Sequence, residues 1–189
     1  MRRSIALLAI FVALLAAPRA WALAITEGLP AFDRAGYLPA GMHGASFPDF
    51  AARYGGSSRR RKLVGRLEIA LADLHAAGWS RVYIGGSFVS DKAKPGDVDI
   101  LVPRQAGVEW TTLFSVAKRE RAADLHFYGA RKIVTNALTK QITPAQRAAW
   151  ALRKPDFLQF FSQNRAGKQV GMVVVELNGL KHPRVARAR

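Results

Sequence analysis

Residues 81–102 constrain this chain most tightly. Arg81 to Ile84 and Asp97 to Val102 are short apolar runs that read as strands, and Gly85 to Gly96 between them reads as a loop. Side chains alternate between faces along a strand. Asp97 and Asp99 therefore project together, while Val98 and Ile100 point the other way, into a core. Two carboxylates side by side repel, and each costs stability if left unpaired. A divalent cation relieves that repulsion, and hard cations such as Mg²⁺ prefer carboxylate oxygen.

The loop before the acids supplies a complementary half. Gly85 and Gly86 carry no Cβ, so their backbone can approach a ligand and present N–H groups to it. Ser87 adds a hydroxyl. A triphosphate could rest on Gly86-Ser87 with its cation held by Asp97 and Asp99, and Lys92 and Lys94 on the loop could reach its oxygens. Pro95-Gly96 turns the chain back into the second strand. An Asp-x-Asp alone is most often a solvated acidic pair, and a Gly-Gly-Ser alone is a common turn. Together, at the facing ends of two strands and nine residues apart, they point to nucleotide and metal.

The flanking sequence places these strands in a mixed α+β domain. Leu29 to Ala45 is turn-rich and reads as an extended lead-in within residues 23–45. Ser46 can cap a short helix, with Pro48 in its first turn, and Gly55-Gly56 ends it. From Ser57-Ser58 to about Ala77, Leu63, Val64, Leu67, Leu71 and Leu74 recur at helical spacing, with Gly78 as the stop. Arg59, Arg60, Arg61 and Lys62 occupy the first turn, where the helix dipole disfavours cations. The plain reading is a solvated basic end; the functional one is a phosphate contact. Further helices are expected from Trp110 to about Ala122 and from Thr143 to about Arg153. Phe157 to Phe161 is apolar and ambiguous, Asn164 to Gly167 is a turn, and Met172 to Glu176 is a buried strand. The expected architecture is a small mixed sheet flanked by helices over residues 46–180, with a basic tail at 181–189. Trp79, Trp110 and Trp150 read as core anchors.

Charge and the N-terminus bear on context. Lys and Arg number 29 against 13 Asp and Glu, a formal charge of +16 that attracts phosphates, nucleic acid or anionic membrane. There is no cysteine, so disulfides and thiolate metal sites are excluded. The histidines, His43, His75, His126 and His182, show no ligand spacing and do not suggest a His-based zinc site. Met1 to Ala22 reads as a secretory signal: Arg2 and Arg3, an apolar run from Ile5 to Ala17, then Ala20-Trp21-Ala22 as a cleavage site. The run is shorter than the ~20 residues of a membrane-spanning helix. The protein is then exported or periplasmic. The competing reading is a start codon assigned too far upstream, with a cytoplasmic protein beginning nearer Leu29.

The segment from Tyr83 to Ile100 resembles the signature of the nucleotidyltransferase superfamily, the polymerase-beta-like fold: a hydrophobic residue, Gly, Gly-or-Ser, then Asp-x-Asp about a dozen residues on. A closer likeness is to uncharacterised bacterial proteins with a minimal domain of this kind. It extends over Leu29-Pro30-Ala31-Phe32-Asp33, Leu38 to His43, Arg59 to Arg61, Gly86 to Lys92, Pro95 to Asp99, and Phe160-Phe161 through Gly171 to Leu177. The resemblance implies a nucleotidyltransferase-type fold, two Mg²⁺ ions, a nucleoside triphosphate substrate, and a third carboxylate on a neighbouring strand. Glu176, ending an apolar strand, is the favoured third acid, catalytic and metal-binding with Asp97 and Asp99; Asp124 is the alternative, in a less convincing strand at Ala122 to Tyr128.

Three functions follow as expectations. The first is transfer of a nucleoside monophosphate to an acceptor hydroxyl on RNA, protein or a small molecule. With no large second domain to hold the acceptor, a protein partner or a homo-oligomer is implied. The second is a degenerate module that binds nucleotide or RNA, beside a toxin-like partner, without turnover. The third is an exported protein that keeps the fold for stability alone.

Overall fold

The valine run near the C-terminus becomes the centre of a sheet. The computed structural model describes residues 25–103, 105–108, 110–120, 124–129, 132–133, 157–181 and 183. Within these residues lie β1 (Ile25–Glu27), β2 (Gly41–Ser46), β3 (Arg81–Gly85), β4 (Val98–Val102), β5 (Leu125–Gly129), β6 (Lys132–Ile133) and β7 (Gly171–Glu176). They form one seven-stranded sheet in the order β1-β2-β7-β3-β4-β5-β6. β1, β2 and β7 pair in parallel, as do β4 and β5, while β3 is antiparallel to β7 and β4. The end of β3 therefore meets the start of β4, and the segment between them crosses the strand ends in the interior of the sheet.

Four helices accompany the sheet among the described residues: α1 (Phe47–Tyr54), α2 (Ser58–Ala76), α3 (Trp110–Glu120) and α4 (Phe157–Phe161). The protein is thus a mixed α+β fold. Ser46 caps α1 by accepting from the Asp49 N–H at 3.2 Å, and Ser57 caps α2 by accepting from the Arg60 N–H at 3.2 Å. Gly78 leaves α2 at φ +101°, a conformation that suits glycine.

Both faces of the sheet are covered, which is why β7 reads as a continuous apolar run rather than an alternating one. On one face Phe50, Tyr54, Leu63, Leu67, Leu71, Leu74 and Leu113 pack on Val82, Ile84, Val98, Ile100, Val173 and Val175. On the other, Met42, Leu101, Tyr128, Phe161, Met172 and Val174 form a smaller cluster with Tyr83 and Leu158 against it. Trp79 is fully buried and donates from Nε1 to the Pro103 carbonyl at 3.2 Å, in keeping with an anchor.

Several local readings differ from the structure. The lead-in carries β1 and β2; Gly41 and Gly44 look like turn residues but lie in β2, where a Cβ on Gly44 would press on Ile25. The loop after Gly85 is not open chain throughout: Gly86–Val89 winds into a 3₁₀ turn that buries Phe88 and Val89. Phe157–Phe161 resolves as helix, and Asn164 to Gly167 is the expected turn, closed by the Gly167 N–H on the Asn164 carbonyl at 2.9 Å. The leader at 1–22, the helix expected from Thr143, Trp150, the Trp110 side chain and nearly all of the basic tail lie outside the described residues.

The basic run at the start of α2 does structural work. Arg60 is buried and its guanidinium donates to three backbone carbonyls: Phe88 at 2.8 Å, Ser90 at 2.9 Å and Lys92 at 2.7 Å. It also lies over the Phe88 ring, 5.0 Å from the centroid. Arg59 bonds the Gly96 carbonyl and the Asp124 carboxylate. Helix α2 thus grips both ends of the loop between β3 and β4. The planar fork suits three divergent acceptors, and a lysine ammonium does not. Arg60→Ala leaves three carbonyls without their donor and should lower the unfolding free energy by about 2–4 kcal/mol, with Arg60→Lys recovering less than half. Urea unfolding measures this; wild-type stability in Arg60→Ala would contradict it.

Candidate metal centre

Asp97 ends the loop and Asp99 is the second residue of β4. The alternation seen in the sequence holds: Val98 and Ile100 are buried in the helix-covered core, and Asp97 and Asp99 are half-buried on the opposite face. Gly85 is the register partner of Asp99, so the end of β3 lies directly beside the acids. Gly86 sits at φ +71°, and a Cβ there would overlap the Asp99 carboxylate. Glycine at this position is what lets the Asp99 side chain lie against the backbone of the turn. Gly85 is equally constrained, since its Cβ would come within 2.9 Å of Phe161.

The residue across from Asp99 on β5 is His126. In a parallel pair, register partners share a face. His126 Nδ1 lies 3.2 Å from Asp97 Oδ2 and 3.7 Å from Asp99 Oδ1. Two residues further on, the Tyr128 hydroxyl donates to Asp99 Oδ1 at 3.1 Å. Asp97, Asp99 and His126 each offer a ligand atom, and these atoms lie within 4.8 Å of one another. Their chemistry, two carboxylates and one imidazole, fits a divalent cation.

The electrostatics follow from this packing. Hydrogen bonding to Asp97 and then to Asp99 raises the His126 imidazole from its ordinary 6.5 to about 9, against the opposing effect of burial. The same bond to His126 holds the Asp97 carboxyl below its ordinary 3.8, with Lys92 adding a smaller lowering. Burial pushes the Tyr128 phenol up, and the Asp99 charge adds to this, so Tyr128 stays a donor to Asp99.

The remaining expected residues divide. Ser87 is half-buried in the 3₁₀ turn beside the acids, and Lys92 and Lys94 are exposed on the loop. Glu176 does not join the pair. It is the register partner of Arg81, four residues before Gly85 on β3, which sets it about 13 Å along the sheet from the Asp99 row. There it faces Arg81, with Nε to Oε1 at 3.4 Å. Asp124 does not join it either. It precedes β5 at φ 58° and is ion-paired with Arg59 at 2.6 Å. Within the unconvincing segment Ala122 to Tyr128, the described residues form strand from Leu125 on, as β5, and the residue it delivers is His126, which sequence spacing had set aside.

Fold and site together define a mixed α+β protein with an Asp-Asp-His centre where the end of β3 meets the starts of β4 and β5, inside the sheet rather than on an edge strand. The chain belongs to a family of unknown function, DUF6932, which it matches over residues 30–176, a span that holds all three centre residues. No curated protein and no solved structure matches it.

The pair His126–Asp97 makes metal-free stability depend on pH. The folded protein holds the His126 proton up to about pH 9, whereas the unfolded chain releases it near 6.5. The resulting stabilisation is full below about 6.5 and is lost as pH rises through about 9. On the acid side it persists until pH falls below 3.8 and through the lowered Asp97 value. Urea midpoints in EDTA between pH 6 and 10 should therefore fall more steeply for wild type than for His126→Gln. Parallel curves would contradict the pairing.

Proposed function

We propose that this protein is a divalent-cation-dependent nucleotidyltransferase, moving a nucleoside monophosphate from a triphosphate to an acceptor hydroxyl with release of pyrophosphate. The observation that carries the reading is the contact between the Gly86 backbone and the Asp99 carboxylate, with Gly85 and Asp99 in register. It sets a glycine-serine turn edge to edge with a carboxylate pair, as the resemblance implies.

In this reading Asp97, Asp99 and His126 hold the cation, Mg²⁺ being the ion that the resemblance implies. When bound, the cation neutralises phosphate oxygens. The Gly86-Ser87 backbone and the Ser87 hydroxyl receive the phosphates, and Lys92 adds positive charge from the loop. Tyr128 keeps Asp99 oriented through its hydroxyl. Arg60 keeps the turn in place through the loop carbonyls rather than meeting phosphate itself. The formal charge of +16 favours an anionic acceptor such as RNA.

A second reading, a module that binds nucleotide or RNA without turnover, is favoured by one observation. The neighbouring-strand position facing the pair holds His126, where the superfamily carries an acid that serves as base.

Incubating the full chain with each labelled triphosphate, Mg²⁺ or Mn²⁺, and total RNA or lysate separates the two. The transferase reading expects label on an acceptor, at least about 100-fold less with Asp97→Asn, Asp99→Asn, and within about twofold of wild type with Glu176→Gln. No transfer alongside salt-dependent nucleotide binding supports the binding module. Transfer unaffected by the double substitution defeats both.

A further inference from the structure

We propose that the Asp97–Asp99–His126 centre selects a first-row transition dication over Mg²⁺. This deepens the reading above and rests on its first half, that the carboxylate pair is a metal site.

The separations suit an ion. Two ligands each ~2.1 Å from one cation lie ~3.0 Å apart in cis octahedral geometry and ~3.4 Å apart in tetrahedral geometry. His126 Nδ1 lies 3.2 Å from Asp97 Oδ2 and 3.7 Å from Asp99 Oδ1, either side of the tetrahedral value and somewhat longer than the octahedral one. The position between them is one a cation can take with small side-chain adjustments.

The donor set decides which cation. Mg²⁺ prefers oxygen and keeps much of its water, whereas the first-row transition dications accept imidazole nitrogen, Mn²⁺ least among them, so a preference for Mn²⁺ over Mg²⁺ is the most demanding test of the set. The strands fix this set. His126 is held opposite Asp99 by the β4–β5 register, so the nitrogen donor is built into the sheet. Glu176 and Asp124, the acids that could have made the centre all-oxygen, are ion-paired with Arg81 and Arg59 instead. Asp99 is oriented on Oδ1 by the Tyr128 hydroxyl, the kind of outer support that metal ligands need, and the missing Cβ at Gly86 leaves room for its other oxygen.

The test is calorimetric titration of the metal-stripped full chain with Mn²⁺ and with Mg²⁺, without nucleotide, for wild type, His126→Gln and His126→Asp. Circular dichroism of each variant checks that it folds. Wild type should bind Mn²⁺ at least about tenfold more tightly than Mg²⁺. His126→Gln should lose at least about tenfold in Mn²⁺ affinity and change Mg²⁺ affinity less than about threefold. His126→Asp should bring the two ions closer together. An Mn²⁺-to-Mg²⁺ ratio that ignores residue 126, equal affinities in wild type, or no binding of either ion overturns the proposal. Because no nucleotide is present, the outcome is independent of transfer. Mn²⁺ held through His126 without label transfer keeps this proposal and defeats the transferase. Label transfer with a ratio indifferent to residue 126 does the reverse.

Discussion

Two carboxylates forced onto one face of a strand set the terms for everything around them. Asp97 and Asp99 cannot turn away from each other, because Val98 and Ile100 are locked in the core on the other side. At short range in a partly dry site their repulsion is substantial. The structure answers with three features from two places in the sequence: the His126 imidazole between them, the Tyr128 hydroxyl on Asp99, and a glycine at 86 that lets the Asp99 carboxylate lie on backbone. The first two come from one strand, two residues apart, which is the spacing that keeps both on the same face.

The scaffold holds this arrangement by gripping the loop rather than the acids. Helix α2 is anchored by its leucines in the main core and extends Arg59 and Arg60 to the segment between β3 and β4. Cations are poorly placed at a helix N-terminus, but three carbonyl acceptors and the Phe88 ring offset that for Arg60. Fold stability and site geometry thus share one side chain. Among the described residues no helix is long and apolar enough to cross a membrane.

How much could be read in the sequence depended on range. The alternation at Asp97–Ile100, the caps at Ser46 and Ser57, the leucine stripe of α2 and the buried Val173–Val175 run are local patterns, and all appear in the structure. The mistakes concerned pairing between distant segments. Glu176 looked suitable because it ends an apolar strand, but the β3–β7 register carries it to the Arg81 end of the sheet. His126 looked solitary because its partners lie 27 and 29 residues earlier and meet it only through a parallel register. The alternation Leu125-His126-Phe127-Tyr128 was the available signal: buried apolar residues flank two polar ones that share a face. The purpose of Arg60 was hidden for a different reason. Its acceptors are backbone carbonyls, which leave no trace in residue identity.

The central claim is that Asp97, Asp99 and His126 form one cation site. The most direct measurement is an anomalous difference map from crystals of the protein soaked in Mn²⁺. A peak within coordination distance of both carboxylates and of His126 Nδ1 is the predicted result. A peak that leaves out His126, or a map with no peak at these residues, would contradict it.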